Sequence, residues 1–330
     1  MKVLFIGGTG IISSACTALA VRQGIELYLL NRGKTTFRNI PEGARLLNSD
    51  INNLAAVTKL IDTMHFDAVV DWIVFTPEQL ERDINLFRGR TDQYIFISSA
   101  SVYQKPISHL PITESTPIDN PFWSYSQNKI ICEERLVQAY HLEKFPAVIV
   151  RPSHTYDCTL LPFDGGWTVV DRMLRGKPVV VHGDGTTLWT MTHHRDFAVG
   201  FNGLLGNPHA LGNAFHITSD ESLTWNQIYA MFARAVGVEP KLVHVPSEII
   251  ASYDSDWGAG LLGDKANSVF FDNSKIKRLV PEFNCTIPYF KGVDEVVTWY
   301  EAHPEFKKIS AEINRLQDEI IQAITNIRRV

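Results

Sequence analysis

The chain has 330 residues but only four cysteines, Cys16, Cys132, Cys158 and Cys285, with no Cys-x-x-Cys pair and no histidine at zinc-like spacing. That excludes a disulfide scaffold, argues against a metal site and fits a reducing cytoplasm. Positive charge is not in excess: 31 Lys and Arg against 36 Asp and Glu leave a net charge of −5. No global field draws in a phosphate backbone, so nucleic acid is not an expected partner. Long apolar runs are missing as well. Met1–Val21 imitates a signal peptide until Gly7-Gly8-Thr9-Gly10 breaks it, and Phe66–Phe75 carries Asp67 and Asp71, so no membrane span is expected. There is no Gly/Ser-rich linker, low-complexity segment or internal repeat. What is present is ordinary for a folded globule, 45% hydrophobic and 20% charged residues, in a length that allows about two domains.

Over the first 150 or so residues, short β-rich apolar runs alternate with longer helical patterns. Strands are expected at Lys2–Ile6, Glu26–Asn31, Arg45–Leu47, Ala68–Val74, Gln93–Ser98 and Ala147–Arg151, and helices at Ile11–Gln23, Leu54–Met64, Pro77–Arg88 and Phe122–Glu143. This alternation predicts an α/β fold, a doubly wound parallel sheet of the Rossmann kind. Beyond Arg151-Pro152 turn clusters such as Asp164-Gly165-Gly166 predict a smaller, irregular C-terminal substrate lobe. The expected division is a dinucleotide-binding domain over residues 1–155 plus about 190–220, a substrate lobe over about 156–189 and 221–303, and a helical tail over 304–330. In that tail Ile309, Ile313, Leu316, Ile320, Ala323 and Ile327 form one apolar stripe, which either packs on its own domain or makes a dimer contact.

The turn Gly7-Gly8-Thr9-Gly10-Ile11-Ile12 follows a strand and opens a helix, where glycines let the backbone approach a pyrophosphate at a helix N-terminus. Gly7, Gly10, Ile11 and Ile12 are therefore candidate cofactor-binding residues. The third small position is Ser13, which predicts slightly looser helix–strand packing. At the end of the second strand the sequence reads Asn31-Arg32-Gly33-Lys34, without the carboxylate that would bind a ribose 2′-hydroxyl. Arg32 and Lys34 favour a 2′-phosphate, hence NADP over NAD. Asp50 either accepts a hydrogen bond from the adenine amino group or caps the following helix.

Tyr125 and Lys129 lie four apart on one helical face near the cleft end of the sheet. A second such pair, Tyr140 and Lys144, starts 15 residues on, about 22 Å along the helix, and is read as surface or packing. With Gly7-Gly8-Thr9-Gly10, Ser98-Ser99-Ala100-Ser101-Val102-Tyr103 and Arg151-Pro152, the pair makes the chain resemble an extended short-chain dehydrogenase/reductase of the NAD-dependent epimerase/dehydratase family, over about residues 1 to 300. The resemblance implies Tyr125 as acid/base, Lys129 as the nicotinamide-ribose ligand that lowers the tyrosine pKa, and Ser99 as hydrogen-bond partner of the reacting oxygen. It also implies a homodimer through the helix carrying Tyr125.

Departures from that family narrow the expectation. Ala100-Ser101 replaces the Asp-Glu of its dehydratases, and His154 and Trp189 replace an Asn and an Arg that hold nucleotide sugars, weakening the case for a sugar diphosphate. Adjacent His193 and His194 are not expected to share a metal, and Asp157 and Cys158 are placed near the substrate cleft. The expected activity is that of an NAD(P)-dependent oxidoreductase or epimerase, with hydride transfer at a sugar-like or other secondary alcohol or ketone and Tyr125 as acid/base. A non-catalytic dinucleotide-binding or RNA-binding relative, as in plastid stem-loop-binding proteins, is the alternative.

Overall fold

The structure is a computed structural model and describes residues 1–33 and 38–327; Lys34 and the side chain of Ile327 lie outside the described residues. Strands β1 (Lys2–Ile6), β2 (Glu26–Asn31), β3 (Arg45–Asn48), β4 (Ala68–Asp71), β5 (Tyr94–Ile97) and β6 (Ala147–Pro152), with a seventh strand Ala214–Ile217, form one parallel sheet. Its order is β3-β2-β1-β4-β5-β6 followed by Ala214–Ile217. In β1, Leu4 lies opposite Tyr28 of β2 and Val69 of β4. Strand order reverses between β1 and β4, and the crevice at such a reversal is where doubly wound folds bind ligands.

The near-continuous apolar strands follow from burial on both faces. Val3 and Phe5 point into one core, closed by α1 (Ser13–Arg22) and the helix His194–Asn202. Leu4 and Ile6 point into the other, closed by α2 (Leu54–Ile61), α3 (Pro77–Phe87) and α4 (Ser124–Glu143).

Most of the expected elements have a bound shifted by one to three residues, and for two of them the local reason is plain. β4 stops at Asp71 because its carboxylate accepts the Ile73 N–H at 2.7 Å and turns the chain, so Trp72–Val74 become the switch-point loop. α1 begins at Ser13 because Gly10 to Ile12 still belong to the turn.

The second lobe is built on small ladders. Pro178–His182 pairs in parallel with Lys241–Val245, and His154–Tyr156 with Met191–His193. Leu188–Trp189 runs antiparallel to Leu223–Thr224. The final helix, Ala311–Ile327, packs on this lobe: Gln317 accepts the Val180 N–H at 2.9 Å, Asp318 pairs with Arg172 at 2.6 Å, and Ile320 and Ile324 bury against Val180, Val245 and Ile250. The apolar stripe thus serves the chain's own core, with Ile309 left outside the helix and exposed.

Candidate active site

β1 delivers the chain into Gly7, whose φ of +86° suits glycine and where a Cβ would come within 2.9 Å of Ile73. A Cβ on Gly8 would meet Leu29 at 2.7 Å. Ser13 does not loosen this turn. Its hydroxyl accepts the Gly10 N–H at 2.7 Å and donates to the Gly7 carbonyl at 3.0 Å, stapling both ends of the loop to α1.

A cavity of about 480 Å³ opens here, lined by Gly7, Thr9, Gly10, Asn31, Arg32, Asp50, Ile73 and Phe75 among others. Asn31 donates to Thr9 at 3.3 Å, while its Oδ1 is buried without a hydrogen-bond partner among the described residues, an acceptor on the cavity wall. Glycines with no room for a Cβ, an orphaned buried acceptor and a switch-point crevice of this size fit a dinucleotide. Arg32 lies mostly exposed, 3.8 Å from Asp50. Asp50 accepts the Asn52 N–H at 2.9 Å and closes a turn, whereas the cap of α2 is Asn53, so the helix-cap reading of Asp50 is corrected. Ile11 and Ile12 do not line this cavity; Ile12 packs on the sheet core.

Ser99, Tyr125 and Lys129 come together across the cleft end of β5. The Ser99 hydroxyl accepts the Ser101 N–H at 3.1 Å, and Ser101 in turn bonds Ser126 of α4 at 2.7 Å, which locks the serine turn to the helix. Burial pushes the Tyr125 phenol up to about 12, outweighing the nearby Ser99 hydroxyl, which favours the ionised form. One turn on, Lys129 is buried and donates to the carbonyls of Val74 and Ile97 at 2.6 and 2.7 Å. Its ammonium lies 5.6 Å from the Tyr125 ring centre and 4.9 Å from that of Phe75, and burial lowers it to about 8. Tyr140 and Lys144 sit at the far end of α4, the tyrosine against Gly212 and the lysine ending the helix at φ 58°.

A second cavity, of about 300 Å³, opens on Ser99 and Tyr125. Its wall includes His154 and Trp189, whose Nε2 and Nε1 are buried without hydrogen-bond partners among the described residues. Burial and the neighbouring Lys265 depress His154 to about 3 and keep it neutral. Trp123, Asp264, Lys265 and Phe271 also line the wall and are not expected from the sequence; Asp264 and Lys265 lie on a short helical turn and Phe271 on an isolated bridge, without periodicity to betray them.

Other residues singled out in the sequence have structural duties. Arg151 is buried in a two-point ion pair with Glu133, joining β6 to α4. His193 caps the helix His194–Asn202 by accepting the Arg195 N–H, and its Nε2 lies 3.3 Å from Glu295; burial holds both His193 and His194 below the usual histidine range. Asp157 binds Arg38 at 2.7 Å and Cys158 is pushed up to about 11, mainly by burial; neither lines the cavity at Tyr125, contrary to expectation.

The chain is similar to the 2'-dehydrokanamycin reductase of Streptomyces kanamyceticus, 26% identical over 289 residues that cover 86% of this chain and 80% of the relative. It is also similar to a chloroplast stem-loop binding protein of Arabidopsis thaliana, 26% identical over 256 residues, 74% of this chain and 65% of that one. An epimerase structure from Methanothermobacter thermautotrophicus shares the fold, with a TM-score of 0.75 at 17% identity over 93% of this chain and 94% of that one. No helix among the described residues is long and apolar enough to cross a membrane. The family model of NAD dependent epimerases and dehydratases matches residues 3–217, from β1 through the last strand of the sheet. With the glycine turn, the switch-point cavity and the Ser99–Tyr125–Lys129 group on that same stretch, the chain belongs to the NAD dependent epimerase/dehydratase family.

Proposed function

We propose that this protein reduces a ketone, or oxidises the corresponding secondary alcohol, on a compact sugar-like substrate, with NADP preferred over NAD. The observation that carries the reading is the position of Tyr125 and Ser99 on the cavity of about 300 Å³, with Phe75 of the dinucleotide-sized cavity 6.5 Å from the Tyr125 ring. Gly7, Gly10, Asn31 and Asp50 hold the cofactor's backbone and adenosine end, Arg32 its 2′-phosphate, and Lys129 its nicotinamide ribose. When bound, the cofactor supplies a hydride acceptor or donor and, in its oxidised form, a second positive charge.

In the oxidative direction Ser99 donates to the substrate oxygen and Tyr125, as phenolate, removes the hydroxyl proton while the carbon loses hydride; reduction runs the same steps backwards. Bringing the phenol from about 12 to neutrality needs about 7 kcal/mol of preferential phenolate stabilisation. Lys129, 5.6 Å from the ring, contributes about 3 kcal/mol at an effective dielectric of about 20. The lysine is thus necessary and not sufficient, and the phenolate forms only in the loaded cleft. A homodimer through α4, which leaves Ile131 and Leu142 exposed, is part of this reading.

The test is NADPH oxidation with a panel of ketones: inosose, dihydroxyacetone, a methyl ketoglucoside and a UDP-ketosugar. Turnover of a nucleotide-free ketone that Tyr125→Phe lowers by about a thousandfold or more supports the reading. Equal turnover in wild type and Tyr125→Phe sinks it.

A further inference from the structure

The cavity at Tyr125 contains a carboxylate that hydride transfer does not use. Asp264 comes from a short helical turn far along the chain, and its place beside the catalytic segment is built from three sides. Asn120, five residues before Tyr125, donates to the Ser101 carbonyl and to the Gly263 carbonyl, both at 2.7 Å. Gly263 is pressed against Trp123, where a Cβ would come within 2.8 Å. Lys105, just past the serine turn, places its ammonium 3.6 Å from the Asp264 carboxylate.

Within that pair the lysine side chain is fully covered, whereas the Asp264 side chain keeps 19% of its surface, on the cavity wall. Lys105 stands at ion-pair rather than hydrogen-bond distance, and no hydrogen bond from a described residue reaches the carboxylate. The carboxylate lines the same cavity as Tyr125 and Ser99. Burial raises the proton affinity of Asp264 and the two nearby lysines, Lys105 and Lys265, oppose that rise. Such a balance suits a group that gives and takes protons.

We propose that Asp264 is a second proton-transfer group of this cavity, exchanging the proton on the carbon adjacent to the substrate carbonyl. This rests on the ketone reading above. The Asp264 carboxylate takes that proton; the C–H electron pair becomes a carbon–carbon double bond and the carbonyl pair moves to oxygen as an enolate. The Ser99 and Tyr125 hydroxyls donate to the enolate oxygen. Return of the proton from Asp264 restores the ketone, with no net oxidation and no leaving group. The activity added is proton exchange next to the carbonyl, a carbon away from the hydride-transfer centre.

The experiment incubates the protein, loaded with NADP and without a reductant, with inosose, dihydroxyacetone and a methyl ketoglucoside in deuterium oxide. Loss of the adjacent C–H signal is followed by proton NMR, and NADPH oxidation is measured on the same ketones. For a ketone that is reduced, wild type exchanges at least about 100-fold faster than Asp264→Asn, while hydride transfer falls less than about tenfold. The paired variant Lys105→Met with Asp264→Asn removes both buried charges and guards against misfolding; it loses exchange in the same way while keeping dinucleotide affinity. Exchange in Asp264→Asn as fast as in wild type, or a reduced ketone with no exchange above the protein-free rate, overturns the proposal. If no ketone is reduced, the hydride-transfer reading fails and this one falls with it.

Discussion

Lys129 offers a sharp test, because its chemistry opposes the stability of the chain that carries it. Its ammonium is buried on two carbonyls and three aromatic rings, and burial lowers it to about 8 from an ordinary 10.5. Between those values the unfolded chain holds the proton and the folded chain does not, so stability contributed by this site rises with pH through that window. Below about pH 8 the folded protein bears the full cost of the buried charge, about 3 kcal/mol. Replacing Lys129 by Met removes the titration. The stability of wild type relative to Lys129→Met should therefore increase by about 2.5 kcal/mol between pH 7 and pH 10. Urea denaturation of both proteins without cofactor, at several pH values, reads this difference directly, since every other titrating group is common to the pair. A gap that stays constant with pH, or that narrows as pH rises, refutes the reasoning and with it the tuned position of Lys129 beside Tyr125.

Arg32→Ser should weaken NADPH binding by more than about tenfold, about 1.4 kcal/mol, and leave NADH within a few-fold; a greater loss for NADH in fluorescence titration would contradict the assignment. Glu133→Ala strands the buried Arg151 guanidinium and should cost about 3–5 kcal/mol in denaturant titration, whereas an unchanged midpoint would show the pair to be dispensable. Cys158, pushed up to about 11, should react with iodoacetamide at pH 8 roughly 200-fold more slowly than an unperturbed thiol, and Cys158→Ser should retain turnover. Rapid alkylation with loss of activity would restore the thiol as a candidate nucleophile.

How much could be read in advance depended on whether a residue sits on a periodic element. Val3, Leu4, Phe5 and Ile6 declare a strand buried on both faces, and Tyr125 and Lys129 share a helix face, so the sheet and the grouping of those two side chains were legible. Ser13 was recognised as a departure from glycine, but its stapling role was not, because that depends on where a hydroxyl points within a turn. The end of β4 was misplaced for the same reason, a single side-chain acceptor on Asp71 outweighing an apolar run. Asp264 was invisible. It stands 139 positions after Tyr125 on a short turn with no pattern of its own, and only tertiary contacts through Asn120 and Lys105 bring it to the cavity.

The two cavities also differ in how much chain each must gather. Every residue lining the dinucleotide-sized cavity lies between Ile6 and Gln79, whereas the one at Tyr125 draws on segments from Ser99 to Phe271. Contacts between residues close in the chain form sooner, since less loop entropy is lost before they pay back. In refolding, dinucleotide affinity should thus return before turnover. The chain recovers its capacity to bind a cofactor while the chamber for its substrate is still being assembled.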